Sequence, residues 1–363
     1  GGTVGDIESL PFLESMRQLK WELGSNCICI HLTYVPFLNA AKELKTKPTQ
    51  HSVKQLQEVG IQPDVLILRT EKEIPTAMRR KVALFCNVSS DAVIQSIDMP
   101  SIYEVPMGMH DQHLDEIILK KPNTPYEGEP DMSQWRNFLD KMNNATETVT
   151  IGLVGKYVEL QDAYKSINEA LFQAATYNNR RLKLVSIHSE KVNDDNVESL
   201  LKDMDGVIVA PGFGQRGIEG KFSALKWCRE HDKPTFGICL GMQLLFEKSY
   251  EYGEHAGLGF IQGEVCPLGP DLADKGLKVP QMGWNALHIV KDDPLFRYIR
   301  EGEYVYYVHS YYGKNCTGST LAVSDYSIPV TGVVRAGRVY GTQFHPEKSG
   351  DTGLRILKAF SEL

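Results

Sequence analysis

A cysteine lies at the centre of a short glycine-rich motif, Gly237-Ile238-Cys239-Leu240-Gly241, directly after an apolar run. Gly-x-Cys-x-Gly is typical of a nucleophile elbow, a sharp strand-to-helix turn whose central residue is held in a strained backbone conformation and needs small neighbours. Such a turn lifts the thiol clear of the sheet edge, and the N-terminus of the following helix favours thiolate. Taken alone, the motif fits a buried structural cysteine equally well.

Residues 341–347 (Gly-Thr-Gln-Phe-His-Pro-Glu) supply the base that a nucleophilic cysteine requires. His345 is an imidazole able to accept the thiol proton, and Glu347, two residues on, would orient the ring and hold its tautomer. The residue types in this order predict a catalytic triad of Cys239, His345 and Glu347. The alternative is a structural cysteine and an unrelated loop histidine.

Residues 209–214 (Val-Ala-Pro-Gly-Phe-Gly) follow an apolar run one strand before the elbow. The N–H of Gly212 and the N–H of Leu240, just after the nucleophile, are the candidate oxyanion donors. The alternative is an ordinary glycine-rich turn. Residues 214–221 resemble a phosphate loop, but five residues separate the first glycine from Gly220-Lys221 where the motif has four. Because Phe222 also replaces the magnesium-binding Ser or Thr, we reject that interpretation.

Composition indicates an ordinary soluble protein of 363 residues, long enough for two domains. The net charge of −7 argues against general nucleic-acid binding, though a local basic pocket for phosphates remains open. No signal peptide or membrane-spanning apolar run is present, so we expect no membrane partner. Seven cysteines, an odd number without a CxxC pair, fit a reducing cytoplasm. Cys27 and Cys29 alternate in an apolar run and predict buried strand residues, so we expect no metal site.

Strand-like runs alternate with helical patterns, which predicts an α/β fold with mainly parallel strands. The pattern predicts strands at residues 27–35 and 64–68 with helices at 10–19, 52–59 and 75–80; residues 82–85 fit a strand or a short helix. We expect a first domain over residues 1–121, a linker over 122–147 and a second domain over 148–363. Because a glycine-rich run leads straight into the first helix, we expect the N-terminal part of the first domain to be missing.

Residues 1 to about 243 resemble the CTP synthase family, the glutamine-hydrolysing amidoligases of pyrimidine nucleotide synthesis. The resemblance lies in residues 1–12 (GGTVGDIESLPF), 45–52, 83–88, 155–160 (GKYVEL) and 212–221. It implies a C-terminal class I glutaminase domain, with a mixed or parallel sheet, flanking helices and a nucleophile elbow. A partial Rossmann-like amidoligase domain would precede it. The resemblance also implies a homo-oligomer if the synthase part is intact.

The same resemblance implies a site for UTP or inhibitory CTP in the first domain. Its implied ligands are Asp6, Ile7 and Glu8 around the pyrimidine nucleotide, with Lys45, Lys47, Gln50 and Lys81 at the phosphates. From the residues alone, the basic loop 45–50 fits a solvated charged loop as well as a phosphate pocket. ATP and Mg²⁺ are implied for the intact synthase, and we expect the main region that binds them to be missing here.

From Gln243 onward the chain resembles another class I glutaminase, the glutaminase subunit of imidazole glycerol phosphate synthase from histidine synthesis. The resemblance lies in residues 244–247, 257–259, 279–285 (VPQMGWN), 307–312 (YVHSYY) and 341–350. A gene fusion, a designed chimera or a sequence-assembly join would each produce such a seam. The two resemblances imply that the glutamine contacts are Phe213, Gln243, Glu251, Ser310 and Tyr311.

The sequence thus predicts a CTP synthase-like glutamine amidotransferase that hydrolyses glutamine to glutamate and ammonia, for ATP-dependent amination of UTP to CTP. One alternative is the histidine-pathway glutaminase, which supplies ammonia to a cyclase subunit. The other is a non-catalytic fragment that binds UTP or CTP.

Overall fold

A computed structural model describes residues 4–121, 124–125, 128–160, 162–212 and 216–363. The chain divides into two compact units, Gly1–Gln134 and Trp135–Leu363. Both combine parallel strands with helices, which confirms the predicted α/β class. The division falls inside the segment predicted as a linker, and the exact domain limits stay a prediction. No helix in the described ranges is long and apolar enough to span a membrane.

The first unit has a parallel sheet in the order β1-β4-β5, whose middle strand buries Leu66 and Leu68 completely. Its helices are α1 (Leu10–Leu23), α2 (Lys47–Glu58), α3 (Thr76–Cys86), α4 (Val105–His110) and α5 (Leu114–Lys120). Its strands are β1 (Ile30–Tyr34), β2 (Phe37–Leu38), β3 (Glu43–Leu44), β4 (Val65–Thr70) and β5 (Val93–Ile97).

In the first unit the structure settles one open expectation and differs from others. Cys27 and Cys29, predicted as strand residues, lie before β1. Residues 82–85 lie in α3, which settles the choice between strand and helix in favour of helix. The predicted loop over residues 45–50 ends early, because α2 already begins at Lys47. Pro48 lies in the first turn of α2, where its fixed φ suits a helix and its missing N–H costs nothing.

In the second unit the helices are α6 (Ser133–Asn144), which begins two residues before the division, α7 (Lys165–Tyr177), α8 (Val197–Leu201), α9 (Ile218–Glu230), α10 (Leu240–Gln243), α11 (Leu268–Leu272) and α12 (Gly350–Phe360). The strands are β6 (Glu147–Gly155), β7 (Arg180–His188), β8 (Gly206–Val209), β9 (Thr235–Ile238), β10 (Phe246–Ser249), β11 (His255–Ala256), β12 (Ile261–Pro267), β13 (Gln281–Ala286), β14 (His288–Ile289), β15 (Tyr304–His309), β16 (Tyr311–Lys314), β17 (Thr320–Asp325), β18 (Pro329–Ala336) and β19 (Val339–Thr342).

One mixed sheet organises this unit, and among the described residues its strand order is β14-β17-β18-β19-β9-β8-β6-β7. Strands β19, β9, β8, β6 and β7 run parallel, whereas β14, β17 and β18 pair antiparallel. Helices cover both faces: α7 and α12 pack on one side, and α8 and α9 on the other. Because β8 and β9 are covered on both faces, every residue in them is buried and apolar runs replace alternation.

The strand order brings the predicted site residues to one edge of the sheet. Gly212 follows β8, Cys239 follows β9 and His345 follows β19, and these three strands are adjacent and parallel. The carboxyl ends of parallel strands meet at one edge of a sheet, where open α/β folds place their ligand sites. The fold therefore collects residues that are far apart in the chain at a single sheet edge.

Candidate active site

The Gly-x-Cys-x-Gly turn has the strained geometry of a nucleophile elbow. Cys239 has φ 53° and ψ −105°, a conformation that costs a non-glycine residue of order 1–3 kcal/mol and persists only where the surroundings impose it. A Cβ on Gly237 would lie 2.5 Å from the backbone of Gly241, and a Cβ on Gly241 would lie 2.5 Å from the carbonyl oxygen of Val209. The two glycines thus let the turn fold back tightly against β8 and β9.

The helix after the elbow is shorter than the motif suggests. α10 contains only Leu240–Gln243, a single turn, so few peptide dipoles align behind Cys239. Leu240 is the first residue of α10, and its N–H therefore has no intrahelical acceptor and is free for a substrate oxygen. The Leu240 N–H is thus compatible with the predicted role of oxyanion donor. The dipole of α10, by contrast, gives little of the stabilisation that was predicted for a Cys239 thiolate.

The side chains of Cys239, His345 and Glu347 meet at the sheet edge. His345 interacts electrostatically with Cys239, and its Nδ1 lies 2.7 Å from Oε1 of Glu347. The histidine and glutamate side chains are 8% and 3% exposed, so water hardly screens the pair. Burial lowers the pKa of His345, but the interactions with Cys239 and Glu347 outweigh it and raise that pKa to about 9.

Hydrogen bonds to the backbone of His345 also hold this residue in place. The N–H of His345 donates to the carbonyl of Tyr306 in β15 over 2.9 Å. The hydroxyl of Ser349 donates to the carbonyl of His345 over 2.6 Å and accepts from the N–H of Tyr306 over 3.0 Å. Ser349 is 1% exposed, so these bonds form inside the core and hold the ring over the thiol.

Gln343 lies against Cys239, although its residue type and position offered no reason to assign it a role. Its Nε2 lies 3.5 Å from Sγ of Cys239, and its Oε1 accepts from Nε2 of Gln243 over 3.1 Å. The available signal is its position directly after β19 and two residues before His345. The same Gln243 nitrogen also donates to the carbonyl of Tyr311 over 3.0 Å.

Two side chains hold the turn that carries Gly212. The hydroxyl of Tyr164 donates to the carbonyl of Pro211 over 3.3 Å, and Nζ of Lys221 donates to the carbonyl of Ala210 over 2.7 Å. Both carbonyls before Gly212 are therefore occupied from the protein side. Since Gly212 follows β8 and Leu240 follows β9, the two predicted oxyanion donors lie just after neighbouring strands.

The residues predicted to contact glutamine differ in burial and in the hydrogen bonds that they already form. Gln243 is 6% exposed and its amide nitrogen already has protein acceptors. Ser310 lies between β15 and β16, where its carbonyl accepts from the N–H of Leu268, and Tyr311 is the first residue of β16. Glu251 is half-buried, and burial raises the pKa of its carboxyl. Phe213 lies outside the described residues.

His309 is a buried neutral imidazole near the triad. Its Nδ1 lies 2.9 Å from the carbonyl of Tyr311, which assigns the proton to Nδ1, and burial lowers its pKa to about 4. The charge of His345 lowers this pKa further. Within the described residues, Nε2 of His309 is buried without a hydrogen-bond partner, as is Oε1 of Gln281, its cross-strand neighbour.

The residues predicted for the nucleotide site all lie in the first unit. Asp6 caps the short helical turn Ile7–Ser9, which includes Glu8 and is largely exposed. Lys47 and Gln50 lie in α2 and Lys81 in α3, two helices that pack together. Lys45 pairs with Glu43. The structure thus places these residues on neighbouring or exposed elements, and their role stays a prediction.

Within the described ranges, no three or more His, Cys, Asp or Glu side chains are arranged to hold a metal ion.

Comparisons with known proteins divide the chain in the same way. The family model described as CTP synthase N-terminus matches residues 1–123, and the model described as glutamine amidotransferase class-I matches residues 159–362.

Two of the similar curated proteins are bacterial enzymes named CTP synthase. A CTP synthase of Porphyromonas gingivalis is 51% identical over 379 residues, which cover 96% of this chain and 68% of the relative. A CTP synthase of Bacteroides fragilis is 64% identical over 245 residues, covering 68% of this chain but only 46% of the relative. Among solved structures, the glutaminase domain of Trypanosoma brucei CTPS with bound acivicin has a TM-score of 0.49 and 23% identity, covering 59% of this chain and 94% of that chain.

Proposed function

The chain belongs to the CTP synthase family and carries its class I glutamine amidotransferase domain, and on that premise we propose that Cys239, His345 and Glu347 hydrolyse glutamine to glutamate and ammonia. The observation that supports this most directly is the buried His345–Glu347 hydrogen bond beside Cys239, at the carboxyl ends of adjacent parallel strands.

The first half of the reaction uses His345 as a base. It takes the proton of Cys239, whose sulfur attacks the side-chain amide carbon of glutamine. The carbonyl π-bond opens to an oxyanion held by the N–H groups of Gly212 and Leu240. The C–N bond then breaks, and the imidazolium returns its proton to the departing nitrogen, releasing ammonia and leaving a thioester.

The second half hydrolyses the thioester. Water attacks the acyl carbon while His345 accepts its proton, and the C–S bond breaks to release glutamate and restore the thiol. Glu347 keeps the ring in the tautomer that turns Nε2 toward the sulfur, and it stabilises the imidazolium. The pKa of His345, about 9, makes it a strong enough base to be protonated by the thiol near neutral pH.

We assign glutamine recognition to Phe213, Gln243, Glu251, Ser310 and Tyr311. Glu251 suits the α-ammonium group of the substrate, because carboxylate oxygens accept its N–H bonds, and the Ser310 carbonyl accepts one bond from Leu268 and keeps a second lone pair. Gln243 would act from its oxygen, since its nitrogen already donates to Tyr311 and Gln343.

The residues of the first unit are the basis for proposing which molecule accepts the ammonia. We propose UTP as the acceptor, with UTP or CTP held by Asp6, Ile7, Glu8, Lys45, Lys47, Gln50 and Lys81, and a homo-oligomer as the working assembly. ATP and Mg²⁺ would activate UTP in the intact synthase. The described residues offer no metal-binding group, and the sequence contains no phosphate-loop match, so we assign this chain no step through them.

The test measures glutamate release from glutamine by the whole chain, with and without UTP and ATP, and UTP or CTP binding by calorimetry. Glutamate release that is lost in Cys239→Ser supports the glutaminase. Binding of UTP that weakens in Lys81→Met supports the nucleotide site. Nucleotide binding without any glutamate release would leave a binding fragment, and stimulation only by an imidazole glycerol phosphate cyclase subunit would replace UTP as the acceptor.

A further inference from the structure

A lysine that the glutaminase chemistry leaves unused lies buried beside the oxyanion turn. Lys221, the fourth residue of α9, is 1% exposed, and its Nζ donates to the carbonyl of Ala210 over 2.7 Å. An ammonium group has three N–H donors, and this carbonyl is the single acceptor found for it among the described residues. Burying a lysine in this way is costly unless its charge meets a compensating one.

A second lysine lies against the same turn. Lys156, which follows β6, is 6% exposed. A Cβ placed on Gly212 would lie 3.2 Å from Cε of Lys156 and 3.6 Å from Nζ of Lys221, so both side chains pack on Gly212. Within the described residues, neither lysine forms an ion pair with a carboxylate. Two cations therefore meet beside one glycine without an acidic partner.

Lys221 interacts electrostatically with Lys156 and with Cys239. Burial, together with the charge of Lys156, lowers the pKa of Lys221 to about 8 against an opposing effect of Cys239. An electrostatic interaction acts equally on both partners, so the Lys221 charge also favours negative charge at the sulfur. Of the other charged groups near α9, Glu190 and Arg216 pair with each other at its start. The other charged groups at the sulfur are His345 and its partner Glu347.

We propose that Lys221 is a positioning residue of the glutaminase: its ammonium holds the Ala210 carbonyl so that the Gly212 N–H faces the substrate oxygen, and with Lys156 it supplies the positive field for the thiolate and the oxyanion. This role rests on the proposed hydrolysis of glutamine. It replaces the helix dipole that the single turn α10 is too short to provide. The anion formed during the reaction is the missing counter-charge of the two lysines.

The experiment compares Lys221→Met, Lys221→Gln and Lys221→Arg in the full chain, with Lys226→Met, an exposed residue of the same helix, as matched control. The first readout is the rate of Cys239 alkylation by iodoacetamide between pH 6 and 10, followed by mass spectrometry of its peptide. The second is kcat and KM for glutamine. Thermal unfolding identifies any variant that fails to fold.

We expect Lys221→Met to alkylate about tenfold more slowly at pH 7, with its pH midpoint moved upward, and kcat to fall about tenfold with little change in KM. Lys221→Arg should restore most of both rates. Lys221→Gln, which keeps a donor for Ala210 but not the charge, should restore kcat only in part and leave alkylation slow.

Alkylation and kcat in Lys221→Met and Lys221→Gln equal to those of Lys226→Met would overturn the proposal. If Lys221→Met does not fold, the alkylation rate and kcat of Lys221→Gln and Lys156→Met test the proposal instead, because each variant removes one charge of the pair. Alkylation needs no glutamine, so a lysine-dependent rate in a chain that releases no glutamate would contradict the glutaminase and leave the lysine field standing.

Discussion

Nε2 of Gln343 lies 3.5 Å from Sγ of Cys239, and two residues later His345 reaches the same sulfur. One short segment after β19 therefore brings both side chains to Cys239. Gln243, from the turn that carries the cysteine, bonds back to Gln343 over 3.1 Å. Gln343 thus links Cys239 to Gln243 as well as lying two residues from His345.

Removing the nucleophile should abolish glutamate release. Cys239→Ser and Cys239→Ala are expected to lower kcat at least about 10³-fold, because a serine hydroxyl is far less acidic than a thiol and alanine offers no nucleophile. Glutamate release in a coupled dehydrogenase assay measures this. The control is Cys266→Ser, a partly exposed cysteine on β12 that should retain wild-type activity. Activity in Cys239→Ala would eliminate the covalent mechanism.

The alkaline side of the pH profile should depend on Glu347. The pKa of His345 is raised to about 9, so the imidazolium that protonates departing ammonia persists up to that pH and is lost above it. Glu347→Gln removes one of the interactions that raise this pKa. We expect the alkaline limb of kcat/KM to move at least about one unit lower and kcat to fall about 10–100-fold. An unchanged alkaline limb would show that another group titrates there.

Gln343 should contribute to rate more than to substrate binding. Gln343→Leu removes the donor to the sulfur and the acceptor for Gln243, and we expect kcat to fall about tenfold with KM nearly unchanged. Steady-state kinetics of glutamate release measures both constants. Gln281→Leu is the matched control, since Gln281 is equally buried but bonds to Asn285. Equal losses in the two variants would indicate a general packing effect.

The elbow glycine should be irreplaceable for steric reasons. A methyl group at Gly237 would lie 2.5 Å from the Gly241 backbone, which cannot move away without breaking the turn. Gly237→Ala should therefore lower the free energy of unfolding by about 1–3 kcal/mol and reduce activity as well. In the control Gly269→Ala no atom lies within 4 Å of the new methyl, and urea unfolding should show no loss of stability. A neutral Gly237→Ala would contradict the close approach.

His309 should make the protein sensitive to acid. Its folded-state pKa of about 4 lies below the ordinary 6.5, so the unfolded chain binds the proton more readily. The full contribution is present above about pH 6.5 and is lost as the pH falls toward 4, at a cost of roughly 3 kcal/mol. His309→Asn keeps a donor for the Tyr311 carbonyl but cannot titrate, so urea unfolding between pH 4 and 7 should vary less in it. Parallel curves for the two proteins would exclude His309 as the source.

Much of the result could be predicted from residues and spacing. The comparisons confirm the resemblance to CTP synthase and the class I glutaminase fold. The Gly-x-Cys-x-Gly motif pointed to a strained turn because its glycines permit a backbone approach that any Cβ would block. Local rules of this kind depend on a few neighbouring residues, and the sequence contains all of them.

The sequence by itself determined the α/β class and the family, and it predicted Cys239, His345 and Glu347 as the catalytic residues, since these follow from local pattern and residue type. Only the tertiary structure decided what surrounds them: Gln343 at the sulfur, the one-turn α10, and Lys156 with Lys221 against Gly212. Those contacts depend on which strands are neighbours and how helices pack across them. Strand order and packing arise from long-range burial, which no short stretch of sequence specifies.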